Sequence, residues 1–131
     1  MSRMALMNRR SGETVASTIE LAMTRSARRR GLLHRSGLDA DRALVLAPCL
    51  AVHTAFMQFA IDVMFVDRAG AITRIVRHLA PWRVAASRHA YATIELPAGA
   101  LDDRDVVVGD RLYLGTDITT ASDAASFCIA T

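Results

Sequence analysis

The apolar residues of this 131-residue chain fall into short segments that are separated by turn residues. Segments of this length match strands, which usually span about five or six residues, and are too short for most helices. The sequence therefore predicts a mainly β fold, a compact single-domain sandwich or barrel-like sheet with one or two short helices. The predicted central and C-terminal strands are Ala43 to Ala47, Val52 to Met57, Ile61 to Val66, Ala71 to Val76, Tyr91 to Leu96 and Arg111 to Leu114.

The clearest local pattern is a β-hairpin in the middle of the chain. Asp67-Arg68-Ala69-Gly70 separates the third and fourth of these segments and ends in a glycine, which accepts a positive φ. Upstream, Thr14 to Thr24 is predicted as one strand. Thr24 can then cap a short helix over Arg25 to Arg30, which Gly31 would end. Ala98 to Asp105 is predicted as a second short helix or an irregular crossing.

The length of the chain and its apolar share of 52% suit one hydrophobic core. We expect residues 1–115 to form one globular β domain. The tail at 116–131 is rich in Thr, Ser and Ala, and we expect it to be mobile.

All sixteen of the Lys and Arg residues in the chain are arginines. The absence of lysine excludes a Schiff base and the lysine of a phosphate-binding loop. The patterns G-x-G-x-x-G and G-x-S-x-G are also absent, so the common nucleotide-binding and serine-hydrolase classes have no support. We therefore expect no cofactor.

The densest positive segment runs from Arg25 to Arg30. It lacks the interleaved aromatic residues that stack on bases, and the net charge of +3 is modest. We interpret this segment as a solvated helix face and expect no nucleic-acid partner. We also expect no metal site, because zinc-ligand spacing is missing among His34, His53, His78 and His89.

Residues 1–10 lack the apolar core and the cleavage site of a secretory signal. The longest uncharged apolar run, Ala43 to Val52, is about half the length that a membrane-spanning helix needs. We therefore expect a cytoplasmic protein without a membrane span. Cys49 and Cys128 fit no Cys-x-x-Cys pair, so we expect two reduced thiols, with a disulfide between them left open.

A group of polar residues lies within the apolar central segments. On a strand over residues 52–57, His53 and Met57 share one face and Thr54 lies on the other. Asp62 interrupts an apolar strand, and a buried carboxylate there is costly unless it is paired or hydrogen-bonded. Arg83 is the first candidate partner, and His53 and backbone amides are the alternatives. The group fits a buried polar tie, a ligand pocket or an acid–histidine pair.

Pro81-Trp82-Arg83 places the one tryptophan of the chain in a predicted loop beside an arginine. Trp82 could stack on Arg83, or cover a pocket in which Arg83 binds a carboxylate or phosphate. The alternative is an aromatic side chain that covers the edge of the core. The complete candidate pocket consists of His53, Thr54, Met57, Asp62, Trp82, Arg83 and Glu95.

Taken in chain order, several segments resemble the DUF192 family, a domain of unknown function, over about residues 21–114. They are Arg30-Gly31-Leu32-Leu33 with Arg35, Val52-His53-Thr54, Met57, Ile61 to Asp67 with Gly70, Pro81-Trp82-Arg83, Glu95 to Gly99, and Gly109-Asp110. The resemblance implies a compact, mainly β domain with a short helix, and it implies no established activity. Many members look secreted or lipid-anchored. The chain departs from the family pattern at Ala60, where proline is common, and at Ala55, where an aromatic residue is usual.

We therefore expect a non-enzymatic module that binds a small ligand or acts as an accessory protein. A ligand with a carboxylate or phosphate would suit Arg83. The first alternative is a hydrolase in which Asp62 and His53 activate water. The second is a protein–protein interaction module that uses an exposed strand edge or an apolar patch.

Overall fold

The computed structural model of the chain describes residues 4–32, 35, 37–116 and 125–126. It contains one short helix, α1 (Arg25–Arg30), within these residues. The strands in chain order are β1 (Met4–Asn8), β2 (Thr14–Ala16), β3 (Thr18–Ala22), β4 (Arg42–Leu46), β5 (Ala51–His53), β6 (Ile61–Val66), β7 (Ile72–Leu79), β8 (Val84–Ala86), β9 (Ala92–Pro97), β10 (Leu112–Thr116) and β11 (Ala125–Ser126).

The strands form three sheets. The central sheet has the order β3-β4-β9-β6-β7, in which β3 and β4 are parallel and the other neighbours are antiparallel. A second sheet has the order β11-β10-β1-β2, and β5 pairs with β8 in a two-stranded ribbon. The structure confirms the predicted mainly β domain with a short helix. Over the described residues the sheets remain open and do not close into a barrel.

Both faces of the central sheet are covered, so the molecule has three layers. One face packs against the second sheet around buried apolar residues such as Leu6, Met64 and Leu112. The other face packs against Leu32 and the β5–β8 ribbon around a separate cluster that includes Phe65. Because β6 lies in the middle layer, all six of its residues are buried, which explains its nearly continuous apolar sequence.

The predicted central hairpin is present. Its first strand has the predicted bounds, Gly70 adopts a φ of 88°, and β7 pairs antiparallel with β6. The Asp67 carboxylate accepts hydrogen bonds from the amides of Ala69 and Ala71, at 2.9 Å each. An aspartate at this position of a turn stabilises it locally, which is why the sequence alone could identify it.

Two predicted strands are wrong in extent. Thr14 to Thr24 is not one strand, because the pairing is interrupted at Ser17 and β2 and β3 join different sheets. The strand predicted over Val52 to Met57 ends at His53 and continues as a turn. Ala98 to Asp105 contains turns, which agrees with the predicted irregular crossing and not with its alternative, a second helix.

The predicted mobile tail falls mostly outside the described residues. Within it, Ala125 pairs with Leu114 and Ser126 with Tyr113, so β11 extends the second sheet. Residues 117–124 and 127–131, which include Cys128, are outside the described part, and both the mobility of the tail and the state of that cysteine stay predictions. In the described part of the chain, no helix has the length and apolar character needed to cross a membrane.

Candidate functional site

A cavity of about 360 Å³ lies between α1, the β5 strand and the central sheet. Its volume falls in the range of about 300–1,000 Å³ that small-molecule pockets occupy. One wall is formed by α1 and the turn that follows it, and another by β5 and the turn after it. The lining residues are Arg25, Arg28, Arg29, Arg30, Gly31, Leu32, Leu46, Cys49, Ala51, Val52, His53, Ala55, Met57 and Glu95.

Glu95 brings an acid into this cavity from the middle of the central sheet. Its strand, β9, lies between β4 and β6, and the register places Leu44 and Val63 directly beside Glu95. The side chain is therefore set among apolar neighbours, and the residue is only 4% exposed. Its Oε1 atom is buried and has no hydrogen-bond partner among the described residues. A buried polar atom in this state costs free energy unless a ligand or water satisfies it.

This burial changes the acidity of Glu95. Removing the carboxylate from water raises the pKa of Glu95 to about 7, and the positive charge of Arg35 opposes part of that rise. Arg35 does not hydrogen-bond to Glu95, because its guanidinium binds both carboxylate oxygens of Glu20, at 3.1 and 2.5 Å. The neutral form of Glu95 therefore persists to a higher pH than that of an exposed glutamate.

The helix α1 places four arginines along the cavity, and we call them the arginine wall: Arg25, Arg28, Arg29 and Arg30. The helix forms where the sequence predicted it. The Thr24 hydroxyl caps it by accepting a hydrogen bond from the Ala27 amide, at 3.1 Å. Gly31 ends it with a φ of 47°, and the Gly31 amide donates to the Ala27 carbonyl, at 3.0 Å.

One member of the arginine wall anchors the helix, and the other three face outwards. The Arg28 guanidinium donates to the Met23 and Ala47 carbonyls, at 2.5 and 3.4 Å. Arg25, Arg29 and Arg30 are exposed and form no salt bridge within the described ranges. Their charges are therefore available to an anion in the cavity.

The structure places three of the seven predicted pocket residues in the cavity and four outside it. His53, Met57 and Glu95 line the cavity, whereas the four other predicted residues do not: Thr54, Asp62, Trp82 and Arg83. The arginine wall is absent from the predicted set, because we interpret its sequence as a solvated helix face. A run of charges on a short helix looks the same in the sequence whether it faces solvent or a cavity, so no local signal could have identified it.

Asp62 is buried and has a structural role. It is fully buried, and its carboxylate accepts hydrogen bonds from the His78 amide at 2.8 Å and the Leu101 amide at 3.0 Å. The predicted partner Arg83 is wrong, and the alternative of backbone amides is correct. The predicted pairing of Asp62 with His53 is also absent, because both oxygens of Asp62 are engaged while His53 lies exposed beside the cavity.

Thr54 has a comparable structural role in the loop that carries Trp82. The buried Thr54 hydroxyl donates to the Ala80 carbonyl at 2.6 Å and accepts from the Arg83 amide at 2.8 Å. Trp82 does not line this cavity; it is 59% exposed and packs against Phe56. The Arg83 guanidinium is exposed and donates to the Trp82 carbonyl at 3.2 Å.

Two further groups bear on the chemistry of the cavity. Cys49 is a free thiol that donates to the Ala51 carbonyl at 3.2 Å, and it lines the cavity near the arginine wall. In the described ranges, no three His, Cys, Asp or Glu side chains come close enough together to hold a metal ion. His34 lies outside those ranges. The polar groups that line the cavity include arginine guanidiniums, the Cys49 thiol and the Glu95 carboxyl, and this set suits an anionic or hydrogen-bonding ligand.

Comparison with solved structures identifies two proteins with this fold. A crystal structure of a candidate transcription regulator from Sinorhizobium meliloti 1021 is 27% identical, with a TM-score of 0.73, and the match covers 85% of this chain and 91% of that one. A protein of unknown function from Novosphingobium aromaticivorans DSM 12444 is 19% identical, with a TM-score of 0.68, over 83% and 81% of the two chains. The second likeness establishes the fold alone. No curated protein matches the chain.

The family assignment agrees with the sequence motifs and the fold. The family model for DUF192, described as "Uncharacterized ACR, COG1430", matches residues 6–114. This range includes every residue that lines the cavity, from Arg25 to Glu95. The chain therefore belongs to the DUF192 family.

Proposed function

We propose that this protein is a non-enzymatic module that binds a small organic anion in the cavity between the arginine wall and Glu95. The observation that carries this proposal is Glu95, a residue that lines the cavity and whose buried Oε1 atom has no hydrogen-bond partner among the described residues. A ligand oxygen would satisfy this atom, and the positive charges of Arg29 and Arg30 would complement the charge of the ligand.

The protonation state of Glu95 decides which ligand charge is favoured. Below pH 7 the carboxyl group is mostly neutral and can donate a hydrogen bond to an anionic oxygen. Above pH 7 it is mostly ionised and repels an anion. The proposal therefore predicts anion binding that is strongest below pH 7 and weakens as Glu95 loses its proton.

The hydrolase alternative has lost its proposed catalytic pair, because the Asp62 carboxylate is held by two backbone amides. A second candidate function is nucleic-acid binding, which the name of the Sinorhizobium protein favours. The arginine wall could contact phosphates, but a nucleic-acid backbone would leave the buried oxygen of Glu95 unsatisfied. The small-anion proposal accounts for the arginine wall and for the buried oxygen of Glu95.

The test is isothermal titration calorimetry with benzoate and benzenesulfonate, which keep one negative charge between pH 6 and pH 8. Wild-type affinity is expected to fall about tenfold between these values, because the protonated fraction of a group with a pKa near 7 falls by that factor. Arg29→Gln is expected to weaken binding about tenfold or more, since a charge-assisted hydrogen bond contributes about 1.5–3 kcal/mol. Glu95→Gln keeps a donor at every pH and should remove the pH dependence.

Arg77→Gln is the matched control for Arg29→Gln. Arg77 is an exposed arginine on β7, at the other edge of the central sheet from β3, and it does not line the cavity. An equal loss of affinity in both variants would mean non-specific attraction by net charge and would overturn the proposal. So would an absence of binding by wild type. A duplex oligonucleotide that binds in an Arg29-dependent manner, without small-anion binding, would favour the second candidate.

A further inference from the structure

Large apolar side chains are exposed next to the cavity. Phe56 is 72% exposed, Trp82 59% and Val84 73%, and together they form what we call the aromatic patch. The rings of Phe56 and Trp82 are in contact, with centroids 4.7 Å apart and planes at 60°. Contiguous exposed apolar surface of this kind marks binding sites more often than scattered single residues do.

The aromatic patch continues the wall of the cavity. His53 and Ala55 both line the cavity. Val84 is the direct partner of His53 in the β5–β8 ribbon, and Phe56 directly follows Ala55 in the chain. A ligand in the cavity that extended past these two residues would therefore reach the aromatic patch.

The protein holds the aromatic patch in place at a conformational cost. Phe56 and Trp82 both have a φ of 64°, a conformation that bulky residues rarely adopt. Hydrogen bonds between Thr54 and the loop at 80–83, donated in both directions, maintain this geometry. The two rings are thus presented to solvent by a specific backbone arrangement and are not left there by loose packing.

We propose that the ligand is an anionic amphiphile, with its charged head at the arginine wall and Glu95 and its hydrocarbon chain across the aromatic patch. This inference rests on the proposed function, since the head would occupy the same cavity. Charge complementarity and continuity of surface carry it: four arginines line the cavity, and an exposed apolar surface begins at its edge. The amphiphile could be a free molecule in solution or a lipid in a bilayer.

The experiment measures binding of n-alkanesulfonates, from methanesulfonate to octanesulfonate, by calorimetry below their micelle-forming concentrations. Affinity is expected to rise about threefold to fourfold with each added methylene until the chain covers the patch. Because Trp82 is the only tryptophan, its emission should shift to the blue with the longer chains alone.

Val84→Thr and Phe56→Ser should flatten the dependence on chain length and leave methanesulfonate binding unchanged. Val108→Thr is the matched control, because Val108 is 59% exposed and does not line the cavity. A chain-length dependence that survives in both patch variants would overturn the assignment of the chain to the aromatic patch. If short sulfonates bind with dependence on Arg29 but chain length has no effect, the amphiphile is wrong and the proposed function stands. If no sulfonate binds, both fail.

Vesicles distinguish the two sources of the amphiphile. Sedimentation with phosphatidylglycerol-containing vesicles, against pure phosphatidylcholine, reports binding to a charged bilayer. Binding to the charged vesicles, reduced at least fivefold by Phe56→Ser, would identify a bilayer lipid. Chain-length-dependent binding of sulfonates without vesicle binding would identify a free amphiphile. The absence of both would overturn the inference.

Discussion

Asp62 and Glu95 are both buried acids on adjacent strands of the central sheet, yet their surroundings differ. The Asp62 carboxylate accepts two backbone hydrogen bonds, so its burial is compensated within the fold. Glu95 lies between Leu44 and Val63 and retains a buried oxygen without a described partner. Both acids are buried, but only Asp62 has hydrogen bonds that compensate for its burial. Asp62 is therefore a structural acid, and Glu95 is a candidate ligand-binding acid.

The raised pKa of Glu95 predicts a specific dependence of stability on pH. The folded state binds this proton more tightly than the unfolded state, whose carboxyl pKa is 4.5. The favourable contribution is therefore fully present below pH 4.5 and is lost as pH rises through about 7. Over the whole titration, from well below pH 4.5 to well above pH 7, Glu95 should reduce the free energy of unfolding by about 3 kcal/mol.

The measurement is urea denaturation at pH 5 and pH 8 for wild type and Glu95→Gln. The neutral amide removes the titration, so the variant should lose about 2.5 kcal/mol less than wild type over this interval. Identical pH dependence in the two proteins would show that Glu95 is ionised at neutral pH in the folded state.

At the scale of elements, local signals predicted α1 and the central hairpin well. Thr24, Gly31, Asp67 and Gly70 act on their immediate neighbours, and a cap or a turn needs no distant partner. The break between β2 and β3 has a different origin. The amides of Ser17 and Thr18 both donate to the Asp41 carbonyl, at 2.9 and 3.0 Å. A contact across more than twenty residues leaves no trace in local periodicity, so Thr14 to Thr24 read as one strand.

The loop that carries Trp82 depends on one hydroxyl group, which makes it testable. Thr54→Val keeps the shape of the side chain but removes the hydrogen bonds to the Ala80 carbonyl and the Arg83 amide. Because Thr54 is buried, the loss should lower the free energy of unfolding by about 1–3 kcal/mol. It should also release the ring of Trp82 from Phe56, which fluorescence anisotropy of the single tryptophan would report as faster local motion.

Thr73→Val is the control for this experiment. The Thr73 hydroxyl bonds to Ser87 Oγ at 2.7 Å and to the Phe65 carbonyl at 3.3 Å, and neither bond involves the loop at 80–83. This variant should lose stability without changing the anisotropy of tryptophan. Equal anisotropy changes in both variants would indicate a general loosening and would contradict the role given to Thr54.

At the scale of the whole molecule, the cavity combines three distant parts of the chain: residues 25–32, 46–57 and 95. The sequence predicted the β class and the polar character of several cavity residues. It could not predict the order of strands, because alternation of side chains does not specify which strands pair. Without that order, the sequence could not place Glu95 in one cavity with the arginine wall. Asp62 was therefore predicted as the central acid of the site.

Asp110 connects the turn before β10 to the end of β1 and the residues that follow it. Its carboxylate accepts hydrogen bonds from the Arg10 guanidinium at 2.6 and 3.0 Å and from the Asn8 amide at 2.9 Å. The pKa of Asp110 is lowered to about 2, mainly by the Arg10 hydrogen bonds, with burial opposing the shift and the Asn8 side chain and the Val107 amide adding to it. Its contribution to stability is present above pH 3.8 and is lost as pH falls through about 2.

Asp110→Asn is therefore expected to lower the free energy of unfolding by about 1–3 kcal/mol at pH 6, and the difference from wild type should shrink as pH falls towards 2. Chemical denaturation across this interval measures both quantities. Asp39→Asn is the control, since the side chain of Asp39 is 87% exposed and its contact with Arg42 is 4.0 Å long. A constant deficit at every pH would contradict the ionic role of Asp110.

The pairing of β1 with β10 also affects how the chain assembles during synthesis. Leu6 is made early, but its partner strand around Leu114 leaves the ribosome only after the whole central sheet has been translated. Until then, the layer that covers one apolar face of that sheet lacks Leu112 and Leu114. A nascent chain stalled before β10 should accordingly aggregate readily and depend on chaperones, and synthesis of β10 should complete this cluster.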